Sequence, residues 1–142
     1  MNSRRQQAGF TLMSVLITVV IDGILSAIAI PSYQRYVIKS RRIQAESCLV
    51  QYAQYMERFR SAQMRYDQDS SGTANTLPDI DCTTESGLDS YYAFDFAKDS
   101  LARRTFTLEA DPQGAQTQDD CGTLTLTEAG VEGADEDVDQ CW

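Results

Sequence analysis

Hydrophobic residues are arranged along this chain in three successive regimes. From Phe10 to Ile30 they are nearly continuous, and Asp22 is the single ionisable side chain in the stretch. From Ser32 they thin to a stripe: Ala45, Cys48, Leu49, Tyr52, Met56 and Phe59 recur at three- and four-residue steps. Arg35, Lys39, Arg41, Arg42, Glu46, Glu57, Arg58 and Arg60 fill the other faces, the signature of an amphipathic helix. DQDSSG, a cluster of turn formers beginning at Asp67, stops that pattern near Tyr66. Beyond it the period becomes two, in YYAFDF (91–96), TFTLEA (105–110) and TLTLT (123–127). Alternation bounded by turn residues predicts an antiparallel meander with one face covered by the helix. The end, EAGVEGADEDVDQCW, is acidic and reads as irregular.

The continuous run is long enough, at 1.5 Å per residue, to cross the roughly 30 Å of a bilayer's hydrocarbon. A secretory signal would have a shorter apolar core with a small-residue cleavage site behind it. Here the small pair Ala8-Gly9 precedes the run, so cleavage there removes only a basic leader and leaves the helix attached. Twelve of the residues from Phe10 to Ile30 are Leu, Ile, Val or Phe. At about −0.3 to −0.6 kcal/mol each they outweigh the roughly +3 kcal/mol of one central Asp. Pro31 lacks a backbone donor and is expected to kink the helix, not end it. The economical reading is an α+β chain in which one long helix, its first half in lipid, packs its second half on a small antiparallel sheet. Its parts are a leader (1–9), a transmembrane and assembly helix (10–31), an amphipathic continuation (32–66), a connecting loop (67–90), and a sheet with a closed C-terminal loop (91–142).

Charge and cysteines narrow the function. Twelve basic against 21 acidic residues give a net charge of −9, with no His anywhere. That balance argues against general polyanion binding, and the missing imidazole removes the usual general base and the commonest metal ligand. No catalytic constellation is present and no metal or cofactor is expected. Cys48, Cys82, Cys121 and Cys141 all follow the apolar run, at spacings that fit no CxxC pattern. An even number suggests two disulfides, with three connectivities open, and an oxidising compartment. Positive charges flank both ends of the helix, Arg4 and Arg5 before it and Arg35, Lys39, Arg41 and Arg42 after. The inside rule alone thus favours the wrong side, but long domains translocate largely regardless of it, and the cysteines argue for export.

Gly9-Phe10-Thr11-Leu12 after a short basic leader, followed by the apolar run, Gly23-Ile24-Leu25, Ala27 to Pro31 and Tyr33, resembles the N-terminus of type IV prepilins. The resemblance implies that a prepilin peptidase cuts after Gly9 and methylates Phe10. It also implies an assembly helix that includes Ser14, Asp22, Gly23 and Pro31. Ser14 stands where that family usually has Glu, and Asp22 where it has an apolar residue. Further on, Ser47-Cys48-Leu49, Tyr55 to Phe59, Asp111 to Gln116, Cys121 to Leu126 and the terminal Cys141-Trp142 resemble minor pilins of the PilE type. That likeness implies Cys48–Cys82 and Cys121–Cys141 bonds and the pilin fold. It further implies an inner-membrane, single-pass precursor with a periplasmic C-terminal domain that later joins an extracellular pilus. The partners implied are other pilins, the prepilin peptidase, the membrane and the inner-membrane assembly platform, with roles in adhesion, twitching motility or DNA uptake. A type II secretion pseudopilin, or a tip module binding DNA or a surface, are the alternatives.

Three weaker features remain. Asp67 to Gly72 echoes the start of an EF-hand loop, but its twelfth position is Pro78 where a bidentate Glu belongs, so a turn is expected. Asp135, Glu136, Asp137 and Asp139 read as a solvated acidic loop, with calcium the alternative. Arg103 and Arg104, with Arg58, Arg60 and Arg65, offer a local basic patch that nucleic acid would need.

Overall fold

A computed structural model describes residues 11–84 and 86–142. They form two compact units, one ending at Tyr36 and the other running from Val37 to Trp142. Helix α1 (Leu12–Gln63) supplies the regular structure of the first unit and opens the second.

In the first unit the helix starts at Thr11, whose side chain and carbonyl both accept from the Ser14 N–H, a cap that serves one of the orphan donors of the first turn. Helix α1 continues through Pro31. Leu12, Leu16, Ile21, Ile24, Ile28 and Ile30 are all at least half exposed, and none of the large apolar side chains among the described residues of this unit is buried. An exposed apolar surface of that extent, on a helix long enough to cross a bilayer, is the kind of surface that lipid or other protein covers.

In the second unit α1 buries Ala45, Cys48, Leu49, Tyr52 and Met56, the stripe expected from its spacing. The sheet is an antiparallel meander, β1 (Tyr92–Phe96), β2 (Thr107–Pro112), β3 (Leu124–Thr127) and β4 (Glu132–Gly133), in that order. Leu108 faces Leu126 and Ala110 faces Leu124 across β2 and β3, so every second side chain enters the core. Tyr66, Leu88, Tyr92 and Phe106 close it, with the Tyr66 ring edge-on to Phe106 at 4.8 Å between centroids. Each fully buried Leu or Phe contributes on the order of 1.5–3 kcal/mol.

The structure departs from the sequence pattern in four places. Helix α1 ends at Gln63, short of Tyr66, because Met64 turns into the left-handed region at φ 60°. Strand β2 is displaced from 105–110 to Thr107–Pro112 and ends on Pro112, where no ladder donor is needed. The connecting loop contains a helical turn, α2 (Asp81–Thr84), and 3-10 turns occupy Leu88–Ser90 and Gly114–Gln118. The acidic end is not irregular throughout: it holds β4 and a last turn, α3 (Val138–Cys141). Two- and four-residue elements carry no period to read. Strand β4 instead depends on Gly133, where any Cβ would strike the Thr125 hydroxyl, and α3 on the Asp137 side chain accepting from the Asp139 N–H.

Candidate functional site

The head is stapled at both ends of its connecting segments. Cys48 of α1 is bonded to Cys82 of α2, and Cys121 to Cys141 of α3, with Cα–Cα separations of 5.7 and 5.6 Å. The second staple encloses Gly122, left-handed at φ 60°, where any side chain would overlap the Asp135 carboxylate. That carboxylate accepts from the Thr123 N–H at 2.8 Å. The acidic end is therefore put to structural use, Asp135 fixing the loop and Asp137 capping α3.

Beside this staple lies a polar cluster that sequence reading missed. The Arg42 guanidinium pairs with Asp119 and donates to the Cys121 sulfur at 2.7 Å. Gln116, fully buried, donates through Nε2 to the Ile38 carbonyl, the Tyr92 hydroxyl and Asp119 Oδ2. In its low-dielectric surroundings such a network is costly to break, and it leaves the buried Gln116 Oε1 without a hydrogen-bond partner among the described residues. Burial, with the Asp119 carboxylate adding to it, pushes the Tyr92 phenol far above its ordinary range. Burial likewise raises the Glu46 carboxyl, against the neighbouring Arg42 charge. In the sequence Asp111 to Gln116 stand out only through the resemblance to minor pilins, and no apolar period marked Gln116 or Asp119 as core residues.

The basic cluster forms around the end of α1. The Tyr66 N–H donates to the Arg103 carbonyl at 3.2 Å, which brings the β1–β2 connection against the helix terminus. The Ala102 N–H bonds the Thr105 carbonyl at 2.9 Å, leaving Arg103 and Arg104 at the exposed tip between them. Arg60 and Arg104 line one surface depression of about 590 Å³ together with Glu57, Ser61 and Met64. Arg60 donates to the Tyr66 hydroxyl at 3.0 Å, and that hydroxyl donates to Glu57 Oε1 at 2.6 Å. The patch is smaller than the five arginines suggested. Arg65 is held in two parallel bonds by Asp67, at 2.6 and 2.7 Å, and those hydrogen bonds, with the Arg65 charge adding to them, hold the Asp67 carboxyl below the usual range. Arg58 is turned about 200° from Arg60 around the helix at 100° per residue. Among the described residues Arg103 and Arg104 have no ion pair.

The remaining sequence candidates are placed as follows. Gly9 and Phe10 lie outside the described residues. Ser14 is half-buried against its own helix, while Asp22 and Pro31 are exposed. A Cβ at Gly23 would meet nothing within 4 Å. Asp69 accepts from the Ser71 and Thr73 N–H groups and from the Ser71 hydroxyl, the turn expected in place of a calcium loop.

Comparison with known proteins addresses both halves. Residues 4–30 match the model described as the prokaryotic N-terminal methylation motif. Residues 31–125, more than half of the chain, match the model described as the type IV minor pilin ComP, DNA uptake sequence receptor. The type IV major fimbrial protein FimA of Dichelobacter nodosus is 51% identical over 43 residues, 29% of this chain. That stretch spans only 28% of FimA's own length. A solved type IV pilin from Shewanella oneidensis is 29% identical, with a TM-score of 0.50 over 74% of this chain and 97% of that one. The non-core minor pilin PilV of Neisseria meningitidis, at 18% identity and a TM-score of 0.50 over 72% of this chain and 94% of that one, shares the fold.

Proposed function

Since this chain belongs to the type IV minor pilin family described as ComP, DNA uptake sequence receptor, we propose that it is a structural subunit of a type IV pilus whose head also captures DNA. The observation that carries the structural half is the exposed apolar face of α1 before Pro31, joined in one chain to a disulfide-closed head. In the membrane precursor that face is solvated by lipid. In the filament it exchanges lipid for the same face of neighbouring pilins, a helix bundle held by packing. The head then lies on the periplasmic side before assembly and outside the cell afterwards. Processing after Gly9 by a prepilin peptidase frees Phe10 as the N-terminus, and the inner-membrane assembly platform moves the subunit into the filament. Sheared filaments from cells carrying an epitope-tagged chain should contain it, with Phe10 first on N-terminal sequencing. A retained leader, or a chain confined to the membrane fraction, overturns this half.

The DNA half is favoured by the depression that gathers Arg60 and Arg104, with Arg103 beside it. On a chain of net charge −9 the contact is local, two or three guanidinia on phosphates, not a general basic surface. Binding of labelled duplex to the full chain in detergent micelles should therefore weaken steeply with salt. Arg104→Ala should lower the slope of log affinity against log salt by about 1. Salt-independent binding, or an unchanged slope in Arg104→Ala, overturns this half.

A further inference from the structure

Met64 is the residue on which the conformation and the exposure of this site disagree with ordinary chain economy. It follows the last residue of α1, and its N–H closes the helix on the Arg60 carbonyl at 2.7 Å. Its φ of 60° puts it in the left-handed region, where glycine, or at need asparagine, terminates helices without steric cost. Methionine carries that cost here and recovers nothing by packing, since its side chain is 78% exposed. The side chain instead lines the same depression as Arg60 and Arg104, together with Glu57 and Ser61. Strain of this kind, kept at a residue that does not pack, points to a role outside the fold.

We propose that Met64 is an apolar wedge for the bases of duplex DNA held at this depression, an inference that rests on the DNA half of the function above. The guanidinia of Arg60 and Arg104 in the same depression take phosphates of the backbone, which positions the duplex without reading it. The Met64 thioether is long, unbranched and polarizable, suited to pressing between base pairs at a step that unstacks easily. Flexible pyrimidine–purine steps open at lower cost than stiff A-tracts, so the wedge gives sequence preference through deformability, with no hydrogen bond to a base edge.

The test uses the full chain in detergent micelles with two short labelled duplexes, one centred on TA and CA steps and one an A-tract. Met64→Gly removes the side chain and the left-handed strain together, so the variant should fold at least as well as the parent, which thermal melting checks. It should bind the flexible duplex roughly tenfold more weakly and lose the preference over the A-tract. Its salt slope should stay that of the parent, whereas Arg104→Ala should lose slope and keep the preference. If Met64→Gly binds both duplexes as the parent does while Arg104→Ala is weakened, Met64 is idle and the wedge is overturned with the DNA reading intact. If the parent binds neither duplex even at low salt, the DNA reading falls and the wedge falls with it.

Discussion

Tyr92 is a phenol sealed from water, with its hydroxyl accepting from Gln116 at 3.1 Å and lying 3.4 Å from Asp119 Oδ2. Burial and that carboxylate raise its pKa, and burial first also raises Tyr52 and Tyr66 from the ordinary 10.0. Above about pH 10 the unfolded chain gives up these protons while the folded chain keeps them. The unfolded state then binds fewer protons, so stability falls with rising pH, and below that value the contribution is complete. Denaturant midpoints should accordingly drop steeply above about pH 10, and tyrosinate absorbance should lag in the folded protein relative to the denatured one. Tyr92→Phe should flatten part of that drop. An equally steep fall in Tyr92→Phe shows that another group governs alkaline unfolding. The same cluster bears on Arg42, since removing the guanidinium would leave Asp119 buried without its cation, a change that ordinarily costs about 3–5 kcal/mol.

Among the elements, β4 and α3 are too short to persist alone, and the Cys121–Cys141 bond is what holds their ends. With a sequence separation of 20, the chain-entropy model gives this bond roughly 3 kcal/mol. A Cys121→Ser, Cys141→Ser double variant should lose about that much and exchange its amides rapidly from Glu128 onward. Strands β1 to β3 should stay protected, as hydrogen exchange followed by mass spectrometry would record. Persistent protection of the tail would show that the Trp142 indole bond to the Gly133 carbonyl, at 2.8 Å, is sufficient. The contrast explains what the sequence made legible. Helix α1 and the cores of β1 to β3 follow from period: Leu49, Tyr52 and Met56 at helical steps, Leu124 and Leu126 at alternate positions. Strand β4 and α3 follow from a glycine, a cap and a covalent bond, none of which repeats. The basic patch was legible as composition only. Which arginines meet depended on Asp67 claiming Arg65 and on the β1–β2 tip reaching the helix end, both tertiary facts.

For the whole molecule, the proposed filament role gives Ser14 and Asp22 inside the apolar segment a bearing on where the subunit would sit. In the prepilins this chain resembles, Glu at the position of Ser14 supplies a carboxylate for the methylated amine of the first residue. A hydroxyl cannot neutralise that amine, and an unpaired ammonium in an apolar core is expensive. Asp22 lies about 12 Å further along the helix and about 80° around it, so it reaches a neighbour's amine only in a shifted register. Ser14→Glu should therefore raise incorporation into sheared filaments, and Asp22→Ile should not lower it, as quantitative blotting of the filament fraction would measure. The opposite pair of results makes Asp22 the working anion. In the proposed filament, which would be pulled in use, the Cys48–Cys82 bond has a mechanical meaning. Tension entering along α1 and leaving through the sheet crosses from Cys48 directly to Cys82, a covalent bypass around residues 49–81. The part of the helix after Cys48 and its terminus, Arg60 and Met64 included, lie between the two bonded cysteines, off that covalent path. The Arg60 and Met64 side of the depression is thus off the direct covalent line, while Arg104, which also lines it, belongs to the β1–β2 connection of the sheet that carries the load, so a pull would bear on the two walls unequally.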